Sequence, residues 1–240
     1  MRIARVRTPE GAVTGEYDGE SVTADGERYA VADAGVELLA PVEPPVFYCV
    51  GRNYGSYIET NEFERPEEVS FFLKPPVALH PPEATIPYPS FSDEMTYGGE
   101  LAAVIGTECR DVPREGVPDV VRGYTIMNDV DAKDQPRITM RKAFDAAAPL
   151  GPCIATGLDP TDLDMETRVD GERRQEANTG EMHHPPEEVV AFLSERVTLR
   201  PGDVVAFGSP ANPGPFEPGS EIEISYEGIG TLRNTLGRPK

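Results

Sequence analysis

An α+β fold with a β-dominated core is what this 240-residue sequence predicts. Three observations carry that expectation. Short apolar runs bounded by Pro and Gly recur along the chain. Segments with helical spacing are fewer, and the clearest is Pro186–Arg196. Strands and long helices do not alternate regularly, which is the α+β pattern.

Residues 1–45 read as a small β-rich appendage, and residues 46–240 as the main domain. The first segment has short extended pieces at 3–6 and 12–14, with turn signals at Asp18-Gly19 and Asp25-Gly26. Pro41, Pro44 and Pro45 punctuate its end. The apolar stretch 46–50 predicts a buried strand that runs into Gly51-Arg52-Asn53-Tyr54-Gly55. Residues 57–68 are polar and rich in acids, as suits a loop or short helix. A strand at 71–74 is stopped by Pro75 and Pro76. Residues 100–105 are strand-like, 114–122 could form a short helix against the preference of Pro118, and 124–127 lead as a strand into Asn128-Asp129. In Pro186–Arg196, Val189, Val190, Phe192 and Leu193 make an apolar face, and Pro186 suits the first turn. Pro201-Gly202-Asp203 is a turn before the strand 204–207. Ile222, Ile224 and Tyr226 alternate with Glu221, Glu223, Ser225 and Glu227, the signature of a half-buried strand. No internal repeat is visible.

Composition narrows the function. At 26.1 kDa the chain suits one large domain, or one with a small appendage. Hydrophobic residues are 38% and mean hydropathy is −0.40, so the surface is very polar. No apolar run approaches the roughly 20 residues of a membrane span. The N-terminus lacks the pattern of a signal peptide, so a soluble, cytoplasmic protein is expected. Cys49, Cys109 and Cys153 are odd in number and form no C-x-x-C pair, which argues for buried free thiols rather than disulfides or zinc. With 22 basic and 42 acidic residues the net charge is −20. Nucleic acid and anionic membranes are poor partners for such a chain. The acids are spread rather than blocked, and a salt-loving source is one hypothesis for them. An ordinary acidic cytosolic protein is the competing one.

The generic motifs of nucleotide, zinc-peptidase and serine-hydrolase sites are absent. What remains is acids at strand ends. Glu100 begins one apolar strand and Asp129 follows another. If such acids point inward they need a partner or a cation, and oxygen ligands suit Mg²⁺ or Mn²⁺. Their plain alternative is a solvated or capping role.

A series of short motifs then resembles one family over roughly the last four fifths of the chain. They are Val50-Gly51-Arg52-Asn53-Tyr54, Phe72-Leu73-Lys74-Pro75, Gly99-Glu100-Leu101-Ala102, Gly123-Tyr124-Thr125-Ile126-Met127-Asn128-Asp129 and Lys142-Ala143-Phe144-Asp145. Pro149-Leu150-Gly151-Pro152, Asn178-Thr179, Pro201-Gly202-Asp203, Gly208-Ser209-Pro210 and Gly228-Ile229-Gly230-Thr231-Leu232 follow. In this order they resemble the fumarylacetoacetate hydrolase family. The resemblance implies a β-rich roll of several mixed sheet layers with few short helices, and a homodimer or larger assembly. It also implies one divalent cation per subunit and a small 2-oxo acid as substrate.

The family metal is held by a Glu-x-Glu pair and the Asp of Asn-Asp. Residues i and i+2 of a strand share a face about 6.6 Å apart, so both can reach one ion. Glu100 and Asp129 match the second Glu and the Asp, but the first Glu falls at Gly98. Glu94 would need a sharp bend to replace it, since six extended residues span about 20 Å. Water filling the place is the simpler expectation, giving a weaker site that leans on the substrate's oxygens. Hydrolytic members carry His and, three residues on, Glu to activate water. Those positions are Tyr57 and Thr60 here, and a tyrosine is a poor general base at neutral pH. Lys133 stands for a usual Arg, Asp131 for a Ser or Thr, and Gln135 for a displaced Gln. Lys142 matches the lysine that faces the substrate, and Lys74 could be structural. Tyr54, Ser209 and Gln135 are expected to contact the substrate. His183 and His184 are expected to form a turn before the helix.

The leading expectation is a metal-dependent enzyme cleaving a C–C bond in an acylpyruvate or related 2-oxo acid. Lys142, Tyr57 and Lys133 would act in catalysis, and Glu100 and Asp129 on Mg²⁺ or Mn²⁺. Decarboxylation or isomerisation of a 2-oxo dicarboxylate is the alternative, since neither needs activated water. A degenerate oxo-acid binder is the reading from another class.

Overall fold

Consecutive rather than alternating apolar residues occupy the centre of the chain, and they form strands covered on both faces. The computed structural model describes residues 1–211 and 213–239. Gly99–Ile105 is buried at every position. It pairs antiparallel with Val121–Asn128, with Leu101 opposite Ile126. On its other side lies Val204–Ala206, then Phe47–Gly51 in parallel, then Ser70–Lys74 at the edge. Beyond Val121–Asn128 comes Ala148–Ala155, which pairs with Arg2–Thr8. That pairing draws the N-terminal strands into the same twelve-stranded sheet.

A second sheet has five strands: Asp164–Val169, Glu172–Asn178, Glu221–Tyr226, Gly230–Leu236 and Thr85–Ile86. In Glu221–Tyr226 the even positions 222, 224 and 226 are buried, as the alternation requires. This sheet presses on the large one at Gly99. A Cβ there would meet Thr167 Oγ1 at 2.6 Å and Ile224 Cγ2 at 2.9 Å, so only glycine lets the layers approach.

Helices are few and short, and the architecture is the expected α+β. Pro186–Arg196 buries Val189, Val190 and Leu193, with Pro186 in the first turn, where its missing N–H costs nothing. The helix expected at 114–122 is a 3₁₀ turn, Arg114–Gly116, followed by Val117–Val120. Pro118 sits in the first turn and is harmless there. Cys49, Cys109 and Cys153 are buried and free. No helix among the described residues is long and apolar enough to cross a membrane.

Candidate active site

Five neighbouring strands of the large sheet deliver their ends to one place. Val121–Asn128 runs out to Asp129 beside the start of Gly99–Ile105, where Asn128 faces Gly99. Val204–Ala206 continues to Gly208 and Ser209, Phe47–Gly51 to Arg52, and Ser70 lies opposite Gly51. A cavity of about 490 Å³ opens there. Its floor holds Glu100, Asp129 and Lys142, all buried.

Asp129 is clamped by two ammonium groups. Lys142 Nζ donates to Oδ2 at 2.5 Å. Lys74 Nζ lies 2.8 Å from Oδ1 but aims its hydrogen bonds at the carbonyls of Ala147, 2.6 Å away, and Val130, 3.1 Å away. The Lys74 contact is therefore an ion pair rather than an aligned hydrogen bond. Burial opposes ionisation of Asp129, yet Lys142 and then Lys74 outweigh it, and the carboxyl stays below its usual range. Burial also disfavours the charge on Lys142, but Asp129 and Asp131 more than restore it. Glu100 has the opposite fate. Burial first, then the charge of Asp129, pushes its carboxyl well above its ordinary value, against a 3.0 Å hydrogen bond donated by the Gly208 amide. Gly208 makes that bond with φ +92°, a conformation that favours glycine.

A further carboxylate stands beside this floor. Asp131 lies 3.1 Å from Lys142 Nζ and accepts a forked pair of hydrogen bonds from Arg141, the Nε–Oδ1 arm being 2.8 Å. Arg141 and Asp131 both line the cavity, as does Arg52. From the sequence, Asp131 was named only as the replacement for a Ser or Thr, Arg52 only as part of a motif, and Arg141 not at all. Arg141 and Asp131 are ten positions apart and meet because the short helix Ile138–Lys142 folds back over Asp131–Ala132.

Of the residues chosen from the sequence, Glu100, Asp129, Lys142, Tyr57 and Ser209 line the cavity together. Lys133 does not join them. It is half-exposed, 3.7 Å from Glu94, so Glu94 is also turned away from the floor. Gln135 bonds to the Phe91 carbonyl at 2.8 Å, outside the cavity wall. Tyr54 is fully buried and bridges through its backbone to Met182. His184 pairs with Glu188 at 2.7 Å, and His183 contacts Arg65 and the Pro66 carbonyl, so both belong to the turn before the helix.

Among the described residues no three His, Cys, Asp or Glu side chains converge as a ready metal cage. The donor set still suits a hard cation of modest affinity. Two buried carboxylates, Glu100 and Asp129, share one polar floor, where burial first and their mutual repulsion second oppose charge on Glu100, and a cation would offset both. Magnesium is commonly held by one or two carboxylates with water and substrate oxygens completing the shell.

Residues 46–237 match the family described as fumarylacetoacetate (FAA) hydrolase C-terminal. The crystal structure of 5-carboxymethyl-2-hydroxymuconate delta-isomerase from Mycobacterium smegmatis superposes with a TM-score of 0.91 at 37% identity, covering 100% of both chains. That of 2-hydroxyhepta-2,4-diene-1,7-dioate isomerase from Mycobacterium marinum gives 0.88 at 36% identity, over 99% of this chain and 98% of that one. Maleylpyruvate hydrolase from Sphingobium sp. SYK-6, solved with manganese(II) and pyruvate, gives 0.85 at 28% identity over 100% of both.

Proposed function

The chain belongs to the fumarylacetoacetate hydrolase family, and from that premise we propose that it moves a proton on a 2-oxo dicarboxylate, as an isomerase, rather than delivering water to a C–C bond. Decarboxylation of a related 2-oxo dicarboxylate is the neighbouring reaction for the same site. The observation that carries the reading is the Lys142–Asp129–Glu100 floor, with Tyr57 rather than an imidazole on the cavity wall. The two mycobacterial isomerases at 36% and 37% identity support the same choice.

The chemistry follows from charge. In a 2-hydroxy-2,4-dienoate the hydroxyl proton leaves, the C2–O bond becomes a carbonyl, and a proton adds at C5 as the double bond shifts to C3–C4. The intermediate carries negative charge on the C2 oxygen. Lys142 Nζ, fixed by Asp129 and Asp131, is a preorganised cation for that charge. Tyr57 Oη, on the cavity wall, is the group proposed to carry the proton. Ser209 and the Gly208 loop bound the substrate on the side of Gly98. One Mg²⁺ or Mn²⁺ per subunit would be held by Glu100 and Asp129 and would supply Lewis acidity at the 2-oxo group.

Turnover of a 2-hydroxy-2,4-dienedioate tests this. Lys142→Met is expected to lower isomerisation by at least about 10²-fold while circular dichroism shows a folded chain. Undiminished turnover in that variant would remove Lys142 from the mechanism.

A further inference from the structure

The cavity has a second cationic region that the proton transfer does not use. Arg141 spends Nε and Nη2 on Asp131, which locks the guanidinium plane. Its Nη1 has no protein acceptor among the described residues, and the side chain is 31% exposed on the cavity wall. Arg52 has no carboxylate or other acceptor among the described residues either. Its guanidinium carbon lies over the Phe63 ring, 4.2 Å from the centroid. Its backbone is left-handed, φ +57°, an unfavourable conformation for a residue with a Cβ, and such strain concentrates at functional sites. In a chain of net charge −20, an arginine held without a carboxylate against a cavity is a notable allocation of positive charge.

The spacing of these groups describes a ligand. Asp131 Oδ2 contacts both Lys142 Nζ and Arg141 Nη2, so one carboxylate oxygen separates the catalytic ammonium from the guanidinium. Apolar side chains of Phe63, Phe71, Phe72 and Ile138 line the same cavity. A short chain with an anionic group at each end and methylenes or double bonds between fits this sequence of surfaces. A free guanidinium edge is the preferred partner for a carboxylate.

We infer that Arg141, positioned by Asp131 and assisted by Arg52, recognises the second carboxylate of a linear 2-oxo dicarboxylate and so sets specificity for dianionic substrates. The inference rests on the 2-oxo-acid reading of the site and deepens it. Its test is calorimetric binding of 2-oxoglutarate and of 2-oxopentanoate, which lacks the distal carboxylate, in the presence of Mg²⁺. The wild-type chain is expected to bind 2-oxoglutarate at least about tenfold more tightly. Arg141→Met is expected to cut that ratio below about threefold, leaving 2-oxopentanoate affinity within about twofold. Arg52→Met, at an exposed position, is expected to lower the ratio in part. Equal wild-type affinity for the two acids, or a ratio unchanged in both variants, overturns the subsite. Failure of the wild type to bind either acid overturns the subsite together with the 2-oxo-acid reading. Intact discrimination without any isomerase turnover supports the subsite and overturns only the reaction.

Discussion

A Cβ on Gly98 would stand 2.9 Å from Ser209 Cβ and 3.0 Å from Ser209 Oγ. The place where the family's first metal-binding Glu would project is thus filled from across the sheet by Ser209. Gln175 fixes that arrangement. Its Nε2 donates to Ser209 Oγ at 2.8 Å and to the Pro210 carbonyl at 3.0 Å, while its Oε1 accepts from the Gly99 amide at 3.1 Å. A glutamate at 98 therefore has no room unless Ser209 yields. Gly98→Glu alone is expected to leave Mn²⁺ affinity nearly unchanged, and Gly98→Glu with Ser209→Gly to raise it by about tenfold or more, since a third carboxylate adds ligand charge. Titration calorimetry reads both, and a double variant no tighter than wild type would contradict this account of the slot. At this scale the sequence was informative where motif order carried the residue. Glu100, Asp129, Lys142 and Ser209 all reached the cavity. The Asp131–Arg141 pair was not legible, because nothing in the spacing of two residues ten apart says that a five-residue helix will turn one onto the other.

The elements that shape the site are held by a few buried polar staples. Asn53 follows the strand Phe47–Gly51 and is 1% exposed. Its Nδ2 donates to the His184 and Phe207 carbonyls at 2.9 and 2.8 Å, and its Oδ1 accepts from the His184 amide at 2.8 Å. One side chain thus ties the Arg52 turn, the Gly208 loop and the turn before the helix Pro186–Arg196. Asn53→Ala strands three buried backbone groups and is expected to cost about 2–4 kcal/mol, read by urea unfolding. A loss within about 0.5 kcal/mol, the usual range for a surface change, would mean the staple is not needed. Strands with consecutive apolar residues were plain in the sequence at 100–105 and 124–127, although Val121 and Arg122, expected in a helix, open the second of them. Ala148–Ala155 was hidden, because Pro149, Gly151 and Pro152 are residue types that strands disfavour, although all are buried in the sheet. Asp164–Val169 and Glu172–Asn178 were hidden by charge. Their outward residues are mostly Asp, Glu and Arg, and only Met165, Thr167, Val169, Gln175 and Ala177 face inward.

Across the whole molecule, acids outnumber bases by 42 to 22. Ion pairs such as Arg5–Glu43, Arg168–Glu166 and Arg233–Glu223 use the scarce arginines, and most carboxylates remain solvated. Their mutual repulsion acts over about 10 Å at 0.1 M salt and about 3 Å at 1 M. We propose that the chain works in a salt-rich medium. Its Tm is expected to rise by at least about 3 °C between 0.1 and 2 M KCl, roughly 1 kcal/mol for a chain this long. A flat or falling Tm would favour an ordinary acidic protein.

An isomerase and a hydrolase differ in whether the site transfers a proton or splits a C–C bond. Proton NMR in D₂O with Mg²⁺, given a 2-hydroxy-2,4-dienedioate and an acylpyruvate side by side, reads this directly. An isomerase converts the dienol to its 2-oxo-3-ene isomer with deuterium at C5, faster than Mg²⁺ alone and not in Lys142→Met, and leaves the acylpyruvate intact; this is the expected result. Cleavage of the acylpyruvate to pyruvate and a carboxylic acid, with the dienol isomerising no faster than the Mg²⁺ control, would contradict it.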